Sequence, residues 1–210
     1  LKEIEIPLAL VLAEMEKTGM KIDVNGIAEF SDFLTQQISA IENEIHDTAG
    51  EAFNINSPKQ LGIILFEKLG LPVKKKTKTG YSTNAEVLES LAEDYPVVSK
   101  ILEYRTYSKL KSTYCDGLIK AVSSDNRVRS TFNQTETRTG RLSSTEPNLQ
   151  NIPVRTPLGR EMRKFFIAED GYTIIDADYS QIELRVLAAL SEDKNMIEAF
   201  NSGTDIHSVT

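Results

Sequence analysis

A chain of 210 residues with 40% hydrophobic and 26% charged side chains can bury a core as one large domain or two small ones, and its composition is ordinary for a soluble globular protein. The net charge of −7 argues at first sight against a nucleic-acid partner; no apolar run is long enough to span a membrane and no signal-peptide pattern opens the chain. A single cysteine, Cys115, excludes an internal disulfide and suits a reducing, cytoplasmic setting, while Leu1, not an initiator residue, implies that the chain begins inside a longer protein.

The first half reads as helices. Leu8, Val11, Leu12 and Met15 recur at helical spacing, with Gly19 as a stop. Asp23 is placed to cap a long second helix whose stripe is Ile27, Phe30, Leu34, Ile38, Ile41 and Ile45. Ser57-Pro58 opens a third helix and Gly70 with Pro72 closes it. Lys74, Lys75, Lys76 and Lys78 then form a basic cluster in a turn ending at Gly80, where a solvated charge run is the default reading. Thr83 to Glu86 fits a capping box opening a short helix, and Pro96 starts a longer one through Ile101, Tyr104, Leu110 and Leu118. On it, Arg105 and Lys109 stand at i,i+4, followed by Lys111; such a basic stripe suits phosphate contacts but is more often plain surface.

The polar run Ser123-Ser124-Asp125-Asn126 breaks this pattern. Val128 to Gln134 reads as a strand, and Thr135 to Thr156 is rich in Thr, Ser, Asn and Pro. Phe165-Phe166-Ile167 and Tyr172 to Ala177 read as a β pair joined by Glu169-Asp170-Gly171. Helices follow from about Gln181 to Leu190 and from about Lys194 to Phe200. Charge is distributed with this organisation. Residues 1–50 hold 3 basic and 10 acidic side chains, the whole excess, whereas residues 127–164 hold 8 basic against 3 acidic. Phosphate binding depends on such local patches more than on total charge, so the first objection to nucleic acid falls.

Two segments carry the chemistry. In Asp178-Tyr179-Ser180-Gln181-Ile182-Glu183-Leu184-Arg185 a carboxylate stands where the apolar run Tyr172 to Ala177 gives way to a helix. Strand ends beside helix N-termini hold metal ions and phosphates well, and Asp176 and Asp178, two apart on a strand, would leave the same face. The plain alternative is that one Asp caps the helix and that Ser180 and Glu183 form a capping box. The second segment joins Thr139-Gly140-Arg141-Leu142-Ser143-Ser144 to Asn148-Leu149-Gln150-Asn151-Ile152-Pro153-Val154-Arg155. Asn and Gln match base edges and Arg matches phosphate, but an irregular loop whose amides satisfy its own backbone has the same composition.

Together these blocks resemble family A DNA polymerases of the bacterial polymerase I type. DYSQIELR at 178–185 is similar to the family's first catalytic motif, and TGRLSS at 139–144 with PNLQNIPVRTPLG at 147–159 to the conserved block before it. Asp205-Ile206-His207 resembles the start of a fingers helix; Phe53 to Pro58 and Lys109 to Tyr114 resemble the thumb. The resemblance covers essentially the whole chain. It implies an α+β architecture of the right-hand polymerase kind: a mainly helical thumb at 1–124, the N-terminal part of an antiparallel-sheet palm at 125–192, and the start of the fingers at 193–210, truncated before the later catalytic blocks.

The resemblance also implies roles. Asp178, with the carbonyl of Tyr179, would bind the Mg²⁺ ions of a two-metal phosphoryl transfer, with Mn²⁺ as a substitute. Glu183 would lie under the sugar of the incoming nucleotide and exclude a 2′-hydroxyl. Gln181, Arg155 and His207 would contact the deoxynucleoside triphosphate. Arg141, Asn148, Gln150 and Asn151 would line the duplex, with Arg105, Lys109, Lys111, Lys75 and Lys76 on its phosphates. The implied partners are primer–template DNA, deoxynucleotides and the remainder of the polymerase chain, not a membrane, in a bacterial cytoplasm with nucleoid association on DNA. Asp176 departs from the small or apolar residue expected in relatives, and Ala189 from a frequent His. The other readings are a non-catalytic, sequence-independent duplex-binding remnant, and a single-subunit RNA polymerase, against which Glu183 argues.

Overall fold

Among the described residues, helices dominate from Glu5 onward and strands appear only in pairs. The computed structural model describes residues 1–77, 80–154 and 156–203. The described residues form an α+β protein whose three two-stranded sheets are all antiparallel. The chain divides into two compact units, Leu1–Gly171 and Tyr172–Thr210.

The first unit opens with α1 (Glu5–Thr18), stopped by Gly19 at φ 62°, where L side chains are strained. Of its predicted stripe Leu12 is buried and Leu8 half-buried, but Val11 and Met15 are exposed, and with Leu10 they line an open apolar groove of about 720 Å³ beside Met20, Val128 and Phe132. After β1 (Met20–Lys21), the Asp23 carboxylate accepts from Gly26 N at 3.0 Å and starts α2 (Val24–Ala49) as expected. At 26 residues α2 is about 39 Å long, enough to serve two cores. Ile41 and Ile45 pack with Ile55, Leu61, Leu65, Leu88, Val98 and Ile101; Ile27 and Leu34 pack with Leu110, Tyr114, Leu118, Val128 and Met162.

Ser57 caps α3 (Pro58–Ile63), which widens into a π-helical turn at Ile64–Lys68 before Gly70. A short hairpin, β2 (Lys76–Thr77) with β3 (Gly80–Tyr81), follows. The next helix, α4 (Ala85–Ala92), is capped by Asn84, whose side chain accepts from Val87 N at 3.1 Å, not by the predicted Thr83. Thr83 is engaged elsewhere: its carbonyl and hydroxyl both accept from the Arg105 guanidinium.

The predicted long helix is three segments in line: α5 (Pro96–Lys109), a π-helical stretch at Leu110–Cys115, and α6 (Asp116–Ala121). Leu110, Tyr114 and Leu118, spaced by four along this run, are all buried. Burial pushes the Cys115 thiol up to about 11, so this cysteine behaves as a small apolar side chain.

Val128 to Gln134 is not one strand. It splits into β4 (Arg127–Val128), paired with β1, and β5 (Thr131–Asn133), paired with β6 (Ser143–Thr145). The break falls at Ser130, whose buried hydroxyl bonds outside the ladder. A 3₁₀ turn at Leu149–Asn151 leads to α7 (Pro157–Lys164), capped by Thr156. Phe166 bridges to Ile22, and Ile167 N donates to Lys21 O at 3.0 Å. The predicted pairing of Phe165–Ile167 with Tyr172–Ala177 is therefore absent, because the first segment's partner is the β1 region.

At the polar break, the Arg129 guanidinium holds the Asp125 carboxyl down to about 2, against an ordinary 3.8, through two hydrogen bonds of 3.1 and 2.6 Å. The folded-state pKa lies below the unfolded one. The pair's contribution is therefore fully present above about pH 4 and is lost as pH falls toward 2. Its exposure keeps the contribution small. Asp125→Asn is expected to flatten the loss of thermal stability between pH 5 and pH 2.5 relative to the parent chain; parallel curves in a melting series would rule the pair out as an acid-sensitive contact.

In the second unit, Tyr172 to Asp178 forms no strand, and Tyr172, Ile174 and Ile175 are exposed. β-propensity is realised only against a partner strand and a covered face, and no strand among the described residues pairs here. Two helices follow, α8 (Ile182–Ser191) and α9 (Lys194–Ser202); Asp193 caps the latter by accepting from Met196 N at 2.9 Å.

Candidate nucleic-acid interface

In the first unit, Arg141, Asn148, Gln150 and Asn151 all lie on the exposed side of one loop system built on the β5–β6 pair. Gly140, at φ 75°, turns the chain ahead of Arg141, whose carbonyl accepts from Thr137 Oγ1 at 2.6 Å. Gln150 is spent on the loop itself: Oε1 accepts from Ser144 N at 3.2 Å and Nε2 donates to Leu142 O at 3.0 Å. Asn148 Oδ1 accepts from Gln150 N at 3.0 Å and caps the 3₁₀ turn. The Asn151 carbonyl accepts from the Tyr114 hydroxyl, tying the loop to the π-helical stretch. The amides of this block thus satisfy part of their own backbone, and Gln150 acts here as a brace.

Between this loop and the helices lies a cleft of about 480 Å³. Lys109, Thr113, Asn148 and Asn151 face it over a floor that includes Tyr114, Leu118 and Ile152. The structure therefore brings Lys109 together with Asn148 and Asn151, residues about forty positions apart in sequence. It combines an exposed cation, amide groups and an apolar floor, which suits a phosphate-bearing backbone and the edges beside it. Lys111 turns to Asp116 at 3.0 Å, so its charge is already paired. Thr113 is the lining residue that spacing did not single out, because a lone Thr in a helix carries no signal.

The other cations lie apart. Arg105 is half-buried, and burial lowers its pKa from the ordinary value while leaving it cationic. It borders a separate cleft of about 920 Å³ with Ser57, Lys59, Tyr81, Thr83 and Asn84. Lys75 and Lys76 are exposed, and Lys76 Nζ lies 5.6 Å from the centroid of the Tyr81 ring. Lys78 is outside the described residues.

In the second unit, Asp178 and Tyr179 are exposed in irregular chain just before α8. Gln181 is the N-cap residue at φ 52°, ψ 42°, a left-handed conformation that costs a non-glycine residue about 1 kcal/mol or more, and it makes no side-chain cap. Glu183 lies in the first turn. Because the helix begins at Ile182, the Ser180–Glu183 capping box is not formed, and without a strand Asp176 and Asp178 are not a pair on one sheet face. Arg185 bends back instead: Nε donates to Ser180 O at 2.9 Å, and its guanidinium carbon lies 4.6 Å from the centroid of the Phe200 ring. That contact fixes the chain just past Asp178 and joins α8 to α9. Among the described residues no group of three or more His, Cys, Asp or Glu side chains forms a metal cage. Arg155 and His207, with Asp205 and Ile206, are outside the described residues.

No helix among the described residues is long and apolar enough to cross a membrane. The family model for DNA polymerase family A matches residues 24–210. DNA polymerase I of Bacillus subtilis (strain 168) is 56% identical over 211 residues, covering 100% of this chain and 24% of its own length. The thermostable DNA polymerase I of Thermus aquaticus is 53% identical over 212 residues, with 26% of its length covered. The chain thus spans about a quarter of the curated relatives it matches. Among solved structures, the POL domain of Pol1 from M. smegmatis in complex with DNA primer-template and dNTP matches with a TM-score of 0.89 and 45% identity, over 99% of this chain and 37% of that one. A family model covering most of the chain, with identity above one half across its whole length, establishes that the chain belongs to DNA polymerase family A.

Proposed function

We propose that this chain is the thumb (1–124), the first part of the palm (125–192) and the start of the fingers (193–210) of a bacterial DNA-directed DNA polymerase. The observation that carries this reading is likeness along the whole chain to DNA polymerase I, joined to the match with a domain in complex with primer-template and dNTP. The enzyme adds deoxynucleotides to a primer 3′-hydroxyl in replication and repair, in the cytoplasm and on the nucleoid.

The residues present fit part of a metal site. Asp178 is an exposed hard-oxygen ligand, as Mg²⁺ or Mn²⁺ requires, and the Tyr179 carbonyl is a second oxygen beside it. Two such ions supply activation of the hydroxyl and stabilisation of the leaving pyrophosphate. The remaining ligands come from the rest of the polymerase chain, as the resemblance to family A polymerases implies. Gln181, Arg155 and His207 hold the nucleotide triphosphate, and Glu183 stands under its sugar. Lys109, Asn148 and Asn151 form a duplex contact in their shared cleft, with Arg141 on the same loop; Arg105, Lys75 and Lys76 add weaker phosphate contacts.

Primer extension tests the reading. A polymerase carrying this chain extends a primer with Mg²⁺ and deoxynucleotides, whereas the 210-residue chain alone binds duplex without extending it. Robust extension by the isolated chain would show that Asp178 and Tyr179 need no further ligands. In the complete enzyme, Glu183→Ala is expected to raise ribonucleotide incorporation about 10-fold or more, the effect of relieving a clash of at least about 1.4 kcal/mol; unchanged discrimination would return Glu183 to a purely helical role. Lys109→Ala should reduce the slope of log affinity against log salt by about one phosphate contact, and Lys111→Ala by less because Asp116 already neutralises it. Equal slopes for all three proteins would make Lys109 plain surface.

A further inference from the structure

We propose that Ser130 and Ser144 are positioning residues for the duplex contact, their two buried hydroxyls forming one hydrogen-bonded chain that sets the orientation of Asn148 and Asn151. The proposal rests on the duplex-binding reading above and deepens it.

Both serines are buried, Ser144 completely. Their oxygens are 2.6 Å apart. Ser144 Oγ accepts from Leu149 N at 3.1 Å and lies 3.3 Å from Pro147 O, and Ser130 Oγ reaches Pro147 O at the shorter 2.7 Å and Thr145 O at 3.1 Å. Each hydroxyl has one proton to give. The assignment that uses both in short bonds runs in one direction: Leu149 N–H to Ser144, Ser144 to Ser130, and Ser130 to Pro147 C=O. The chain leaves the loop at Leu149 and returns at Pro147, so its two ends enclose Asn148. Thr145 O shares the Ser130 proton more weakly.

The same serine holds the loop's other side. Ser144 N donates to Gln150 Oε1, and Gln150 Nε2 donates to the carbonyl of Leu142, the residue after Arg141. Every displacement of Ser144 is therefore passed to Arg141's neighbour, to the Asn148 cap and to the turn that carries Asn151. A hydroxyl is needed at both positions: alanine at 144 leaves the part-buried Leu149 N–H without its acceptor, and alanine at 130 leaves the Pro147 C=O with only the longer 3.3 Å bond from Ser144 Oγ in place of the 2.7 Å one. Neither serine lies on the exposed side of the loop, so each acts through Asn148 and Asn151 and not by touching DNA.

The test uses the 210-residue chain, a fluorescein-labelled primer–template duplex and amide hydrogen exchange without DNA. Ser144→Ala and Ser130→Ala are each expected to speed exchange at Leu149 and to raise the duplex Kd about 5- to 30-fold, as for one displaced buried polar partner. Because the hydroxyls act in series, the double variant should resemble either single variant and not their product. Ser130→Thr, which keeps the hydroxyl, should restore most of the affinity. Ile45→Val, in the other core, serves as a control for general destabilisation: it lowers the melting temperature with the Kd unchanged. Unchanged Leu149 exchange overturns the hydroxyl chain. Faster exchange with wild-type affinity, or multiplicative single effects, overturns the positioning role. Failure of the unsubstituted chain to bind duplex while Leu149 exchange still responds sinks the duplex-binding reading and the positioning role together, and leaves the hydroxyl chain standing as a loop brace alone.

Discussion

Asp178→Asn in a polymerase carrying this chain is expected to lower nucleotide incorporation on the order of 10³-fold or more while leaving primer–template affinity nearly unchanged. The asymmetry follows from the chemistry each set of residues offers. Asp178 is an exposed carboxylate just ahead of α8, whereas the cleft of Lys109, Asn148 and Asn151 offers a cation and amides. Asn keeps the size of the side chain and one oxygen acceptor but removes the negative charge that a divalent ion requires. Losing a metal's charge stabilisation costs several kcal/mol in a phosphoryl-transfer barrier, and each 1.4 kcal/mol is about tenfold in rate. Single-turnover incorporation, measured with saturating duplex, separates the chemical step from binding. Incorporation within tenfold of the parent would remove Asp178 from the metal site and leave the motif as a helix start. The Arg185 contacts to Ser180 and Phe200 make a second comparison informative. Arg185→Ala should disturb the approach to Asp178 without changing its charge, giving a smaller loss that higher Mg²⁺ does not rescue.

The sequence was most legible where one local rule decides the structure. Asp23 and Ser57 cap the helices expected of them, and of the α2 stripe Ile27, Leu34, Ile41 and Ile45 are buried while Phe30 and Ile38 at its margin are half-buried. It was least legible where the outcome depends on a distant partner. Tyr172 to Ala177 has the composition of a strand but no described strand pairs with it, and Phe166 bridges to Ile22 across a large stretch of chain. The cap at Asn84 displaced the one expected at Thr83 because Arg105 engages Thr83 from another helix. The site shows the same division. The two blocks carrying Arg141, Asn148 and Asp178 stand out in sequence. The cleft that joins Lys109 to Asn148, the role of Gln150 as a brace, and the Ser130–Ser144 pair all arise from contacts between segments, and a serine next to another serine announces nothing.

The helical base of that cleft makes the second large effect predictable. Leu34→Ala is expected to cost about 2–5 kcal/mol of folding stability, the range for removing a fully buried leucine when the surroundings relax only in part. Leu34 is 0% exposed and packs in the cluster that contains Leu110, Tyr114, Leu118 and Met162. That is a large share of the roughly 5–15 kcal/mol that a folded domain typically has. Urea unfolding should therefore show a lower midpoint with an unchanged slope, the signature of lost stability rather than altered compactness. Leu10→Ala, on the exposed face of α1, is the matched control and should shift the midpoint by no more than about 0.5 kcal/mol equivalent. The consequence reaches the site because Tyr114 and Leu118 floor the cleft and the Tyr114 hydroxyl holds the Asn151 carbonyl. At urea concentrations where both proteins remain folded, the variant should still bind duplex more weakly, since a cavity in the cluster that holds Tyr114 loosens the tie to Asn151. A midpoint shift with unaltered duplex affinity would instead mean that the loop keeps its geometry through the Ser144–Gln150 bonds alone, independent of the helices beneath it.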